Sequence, residues 1–165
     1  DTMKLIAVTD GGASGAKPSG WTVDYLKSVR RAEQVAPWSA LTNGTGTITR
    51  IGLNDGSATA TPIKNAINAV IAASSGTVEV YVAARATDVH PDHKATAAGA
   101  KACSASVVRY SLPIEESGSG TTYSPASMSD AIAADNAYEP FGWTSSPPAF
   151  AAMRTKGYKS RIVST

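Results

Sequence analysis

The stretch Thr77-Val78-Glu79-Val80-Tyr81-Val82, followed shortly by Asp88-Val89-His90-Pro91-Asp92-His93-Lys94, decides how the chain is read. Thr77 to Val82 alternates like a β-strand with one face buried. Pro91 suits the first turn of a helix, where its missing N–H costs nothing. The Ala-rich run Lys94 to Cys103 continues that helix to about Ala102. Both histidines of the chain, His90 and His93, therefore sit where a strand ends and a helix begins. Open α/β sheets bind ligands outside the carboxyl ends of their strands, so chemistry is expected here.

Working outward, Leu5-Ile6-Ala7-Val8 is a continuous apolar run, the pattern of a strand buried on both faces. Thr9-Asp10-Gly11-Gly12 ends it, and Asp10 suits an Asx turn before the two glycines. Trp21 to Ala36 reads as a helix, with Val23, Leu26, Val29, Ala32, Val35 and Ala36 on its apolar face and Pro37 ending or kinking it. Thr47 to Leu53 reads as a short strand closed by the Asn54-Asp55-Gly56 turn. Thr61-Pro62 marks the next helix, whose apolar face is Ile63, Ile67, Val70 and Ile71 and which Gly76 stops. Ser106 to Leu112 is the last clear strand. Beyond Pro113 the pattern weakens: a loop or irregular hairpin over Glu115 to Tyr123, a helix over Ser127 to Tyr138, and a short helix over Ala149 to Thr155. Strands and helices alternate through the first 112 residues, so one α/β domain with a mostly parallel sheet and helices on both faces is expected.

A chain of 165 residues with 42% hydrophobic content suits a single domain with its own core. The charged fraction is 17%, below the usual value of about 25%. The net charge of +2 comes without a dense Lys/Arg run, which argues against nucleic acid as a partner. No apolar run reaches the roughly 20 residues of a membrane span, and no signal peptide is recognisable. A cytoplasmic and a secreted setting both stay open. The lone Cys103 rules out an internal disulfide and a cysteine-rich metal site.

In the first turn of a helix, His90 and His93 share one side. Neutral imidazole is a common zinc ligand, and a carboxylate such as Asp92 can fix a histidine tautomer. A second histidine near a metal can instead stabilise an oxyanion. Two solvated histidines capping a helix fit the spacing as well, and spacing alone does not choose. Arg30 reads either as a grip on a polar substrate or as a surface pair with Glu33. Arg31 reads as solvated. Trp21, Trp38 and Trp143 suit either packing or the lining of a sugar site.

Four stretches, in order between Met3 and Cys103, resemble the LmbE/PIG-L family of zinc-dependent N-deacetylases. Members of that family remove an acetyl group from N-acetylated amino sugars. Val8-Thr9-Asp10-Gly11-Gly12 resembles the turn after the family's second strand. Arg30-Arg31-Ala32-Glu33 resembles its Arg-x-x-Glu, Leu53-Asn54-Asp55-Gly56 its Leu-x-Asp-Gly, and His90-Pro91-Asp92-His93 its second histidine motif. The resemblance implies a Rossmann-like sheet, and a metal, zinc or another divalent ion, on His93. It implies catalytic roles for His90, which stabilises the tetrahedral intermediate, and for Asp92, which tunes it. Arg30 and Asp55 would lie beside a small-molecule or glycan substrate. The family's first motif, a His-Pro-Asp-Asp run, does not occur in this sequence. The expectation is thus a sheet without the family's first strand, holding one of three ligands. Such a chain would associate through an exposed sheet edge or with a missing N-terminal segment. The alternative function is a non-catalytic binding or structural module on the same fold.

Overall fold

A computed structural model describes residues 2–13, 17–83, 88–113, 120–125, 127–138 and 154–163. Strand β1 (Lys4–Thr9) leads through helix α1 (Val23–Leu41) to β2 (Thr47–Leu53), which pairs with β1 in parallel. Helix α2 (Ala60–Ala72) leads to β3 (Glu79–Val82). Helix α3 (Pro91–Lys101) then leads to β4 (Val107–Pro113), again parallel to its predecessor. Each pair is a strand–helix–strand unit, and the fold is mixed α/β.

The expected single sheet is instead two. β1 and β2 form one, and the other has the order β3-β4-β6-β5. Its last two strands are β5 (Thr121–Tyr123) and β6 (Ser160–Val163), and β6 runs antiparallel to both its neighbours. β6 was invisible to periodicity because its four residues gain a partner only through long-range pairing. The short helix expected over 149–155 lies mostly outside the described residues. Helix α4 (Met128–Tyr138) forms as expected.

One apolar core ties the two sheets together. Ile63 and Ile67 of α2 pack with Ala97 and Ala100 of α3, Val82 of β3 and Tyr110 of β4. Ile6 and Val8 of β1 and Ile51 and Leu53 of β2 close around the same cluster. The α2–α3 crossing depends on Gly99, where a β-carbon would come within 2.8 Å of both the Ala60 carbonyl oxygen and Ile63 Cβ. Alternation along β2 turns Arg50 to the opposite face, where its Nη2 donates to the Arg31 carbonyl of α1 at 3.4 Å. α1 thus touches β2 from the face opposite α2. The outer face of β3–β4 is polar and exposed, with Arg109 donating to Glu79 at 3.1 Å and Tyr81 beside it.

Two helix boundaries differ from expectation. Pro37 sits inside α1, which runs on to Leu41. An interior proline costs about 3 kcal/mol. The last turn is offset by its own cap: Thr42 N–H and Oγ1 both donate to the Trp38 carbonyl, at 3.0 and 2.8 Å. Helix α2 starts at Ala60, with Thr59 rather than Thr61 at the cap position. Pro62 still falls in the first turn, where backbone N–H groups lack helical partners anyway. The face of α1 is also rotated from the expected stripe. Val23 and Val35 are exposed, while Leu26 and Glu33, seven residues apart, are buried.

Candidate functional site

The carboxyl ends of β1, β2 and β3 converge on a cleft of about 550 Å³ lined by Val8, Thr9, Gly11, Arg30, Gln34, Asp55, Ala83, His90, Asp92, His93 and Thr96. Its size suits a small-molecule ligand. Arg30, Asp55, His90, Asp92 and His93, separated by as many as 63 residues in sequence, all line it. Trp21 does not, packing edge-on against Tyr25 instead. Trp38 is also absent from the lining, and Trp143 lies outside the described residues.

Three loops are stitched together here. Ala13 N–H, after β1, donates to Asp55 Oδ2 at 3.1 Å. Gly56 and Ala58 N–H, after β2, donate to Asp92 Oδ2 and Oδ1 at 2.7 and 2.9 Å. Burial pushes the Asp92 carboxyl up, but these two amides and the neighbouring His90 bring it below its ordinary value. Asp92 therefore spends both oxygens on the β2–α2 loop, and the closest approach of its carboxylate to His90 Nδ1 is 3.9 Å. It holds Asp55 and the start of α3 side by side. The extra residue of β2 opposite Ala7 and Thr9 forms a bulge at Gly52, just ahead of this turn.

Arg30 reaches the cleft across Gly11. A β-carbon at Gly11, whose φ is +69°, would lie 2.8 Å from Arg30 Nε. Arg30 Nη1 donates to Glu33 Oε2 at 2.7 Å. The pair expected on the helix surface is thus half interior: Glu33 is only 2% exposed. Burial raises the Glu33 carboxyl, and Arg30 opposes that rise. Glu33 Oε1 and Gln34 Oε1 have no hydrogen-bond partner among the described residues. Asp10 forms the expected Asx turn, accepting from Gly12 N–H at 3.3 Å, and pairs with Lys27 at 3.0 Å.

The two histidines differ in tautomer. His90 is the N-cap of α3, and its Nδ1 accepts the Asp92 backbone N–H at 3.3 Å. In the neutral ring the proton therefore sits on Nε2, which is a donor. His93 Nδ1 lies 2.9 Å from Asp88 Oδ2. Burial pushes the Asp88 carboxyl up, while hydrogen bonds from His90 N–H and His93 bring it below its ordinary value. An ionised carboxylate only accepts, so His93 Nδ1 carries a proton, and in the neutral ring its Nε2 offers a lone pair. The ring centroids are 4.8 Å apart. Asp88 was not among the residues singled out in sequence; its signal was an acidic residue two before one histidine and five before the other.

The molecule is thus a mixed α/β scaffold with a polar cleft at the ends of its parallel strands, lined by both histidines. Neither a protein-family model nor a curated protein matches the chain. Among the described residues, no helix is long and apolar enough to cross a membrane.

Proposed function

We propose that this protein is a metal-dependent N-deacetylase of the LmbE/PIG-L type on a Rossmann-like scaffold, acting on an N-acetyl amino sugar or a related glycoconjugate. The observation that carries the reading is that His90 Nδ1 meets a backbone N–H while His93 Nδ1 meets a carboxylate, beside Arg30 and Asp55 in one cleft, which gives the two neutral rings opposite tautomers. The donor chemistry of His93 fits one corner of a zinc site, or that of another divalent metal. Catalytic zinc ordinarily takes three protein ligands and a water. Among the described residues no group of three or more His, Cys, Asp or Glu stands ready to hold a metal, so the other donors would come from elsewhere. When bound, such a metal polarises an amide carbonyl and lowers the pKa of its water.

The chain's own residues supply the rest. His90 Nε2–H is a donor for the oxyanion that develops as the amide is attacked. Arg30, anchored by Glu33, brings its positive charge to the cleft wall, where it would favour an oxygen-rich substrate. Asp55 orients hydroxyls by accepting from them. Asp92 acts through the loops, keeping Asp55 and His90 in register. β1 and β3 each carry a ladder on one side only among the described residues. Their open edges suit association with a second copy or with an N-terminal segment that brings further ligands.

Metal analysis of the purified chain after zinc loading tests the reading. Stoichiometric zinc is expected in the wild type and its loss in His93→Ala. A folded chain that takes up no zinc at micromolar concentration would leave a non-catalytic binding module on this scaffold.

A further inference from the structure

Asp88 uses both oxygens of one carboxylate on the two histidines. Its Oδ1 accepts the His90 backbone N–H at 2.9 Å, and its Oδ2 accepts the His93 ring Nδ1–H at 2.9 Å. The Asp88 side chain is 18% exposed, whereas the His93 ring is 53% exposed. A ring that open has little packing to fix its second torsion, so the hydrogen bond supplies the restraint. The backbone bond in turn anchors the carboxylate, since Asp88 Oδ1 cannot turn towards His93 without leaving His90 N–H.

We infer that Asp88 is the positioning residue of this cleft, setting the tautomer and aim of His93 so that Nε2 is left unprotonated for a metal. This rests on the proposed metal reading. Outer carboxylates that hold a ligating histidine are worth about 10–100-fold in metal affinity. Asn at this position keeps the shape but has one acceptor. With its oxygen on His90 N–H, its NH₂ group faces His93 Nδ1, which must then accept, and the proton moves to Nε2. The reverse orientation sets two donors face to face at His90.

Imidazole nitrogen NMR on the zinc-free full chain at about pH 8, where imidazole is ordinarily neutral, reads the tautomer without any metal. Chelator competition reads zinc affinity. Wild-type His93 is expected as the Nδ1–H form and Asp88→Asn as the Nε2–H form, with zinc binding about 10–100-fold weaker. Asp88→Ala, followed by circular dichroism to confirm folding, should lose the Nδ1–H preference and weaken zinc binding as well. An unchanged His93 tautomer in both variants overturns the inference, as does a switched tautomer with unchanged zinc affinity. A switched tautomer in a chain whose wild type binds no zinc supports the positioning role and overturns the metal reading instead.

Discussion

The α2–α3 half and the α1–α4 half of the molecule are held together by different means. α2 and α3 meet over Ile63, Ile67, Ala97 and Ala100, with Gly99 setting the close approach. α1 and α4 also pack on each other, but their most buried groups include the carboxylates Glu33 and Asp135. Asp135 accepts from Arg154 Nη2 at 3.2 Å and Tyr158 OH at 2.7 Å, tying α4 to the turn before β6. The difference teaches where stability and function divide. The apolar half fixes the sheet ends, and the polar half brings Arg30 and Gln34 to the cleft.

The comparison breaks most readily at Ile63. Ile63→Ala should cost about 2–5 kcal/mol in denaturant unfolding. A loss below about 1 kcal/mol would mean that the α2–α3 core is not what joins the two sheets. Asp135→Ala should cost less, about 1–3 kcal/mol for the lost charged hydrogen bonds. Hydrogen exchange should place that loss in α4 and the Arg154–Tyr158 turn; a loss spread evenly over α2 and α3 would erase the division between the halves.

The smallest effect sharpens the comparison through pH. The folded Glu33 carboxyl is raised above its unfolded value by burial, with Arg30 opposing. A raised carboxyl binds its proton more tightly when folded, so its favourable contribution is present at low pH and is lost as pH rises through the folded value. Glu33→Gln removes this titration. The stability of Glu33→Gln relative to wild type should therefore climb with pH from about 4 upward and then level off. A difference that stays constant or falls with pH would contradict the burial argument.

β3 was legible from its alternation and α2 from its apolar stripe at helical spacing, whereas β1 showed as a continuous apolar run and α3 as Pro91 followed by an Ala-rich stretch. The strand end at Val82 and the proline at Pro91 likewise located His90 and His93 correctly at a helix start. α1 was misread in its face and its end. Of the expected apolar stripe Leu26 is buried but Val23 and Val35 are exposed, because the helix buries Glu33 and turns Arg30 and Gln34 to the cleft. The break between the β1–β2 and β3–β4 ladders and the pairing of β6 are long-range facts that no local pattern carries. Asp92 was legible as a residue near His90, but not as the acceptor of Gly56 and Ala58, thirty-six and thirty-four residues away. The tautomers were beyond sequence altogether, because they depend on which ring nitrogen each neighbour reaches.

Those tautomers carry the central claim, and parallel zinc titrations of wild type, His90→Ala and His93→Ala test it most directly. The account predicts that His93→Ala abolishes zinc binding while His90→Ala retains it, since only His93 offers an Nε2 lone pair. Equal loss in both variants, or loss in His90→Ala alone, would contradict it.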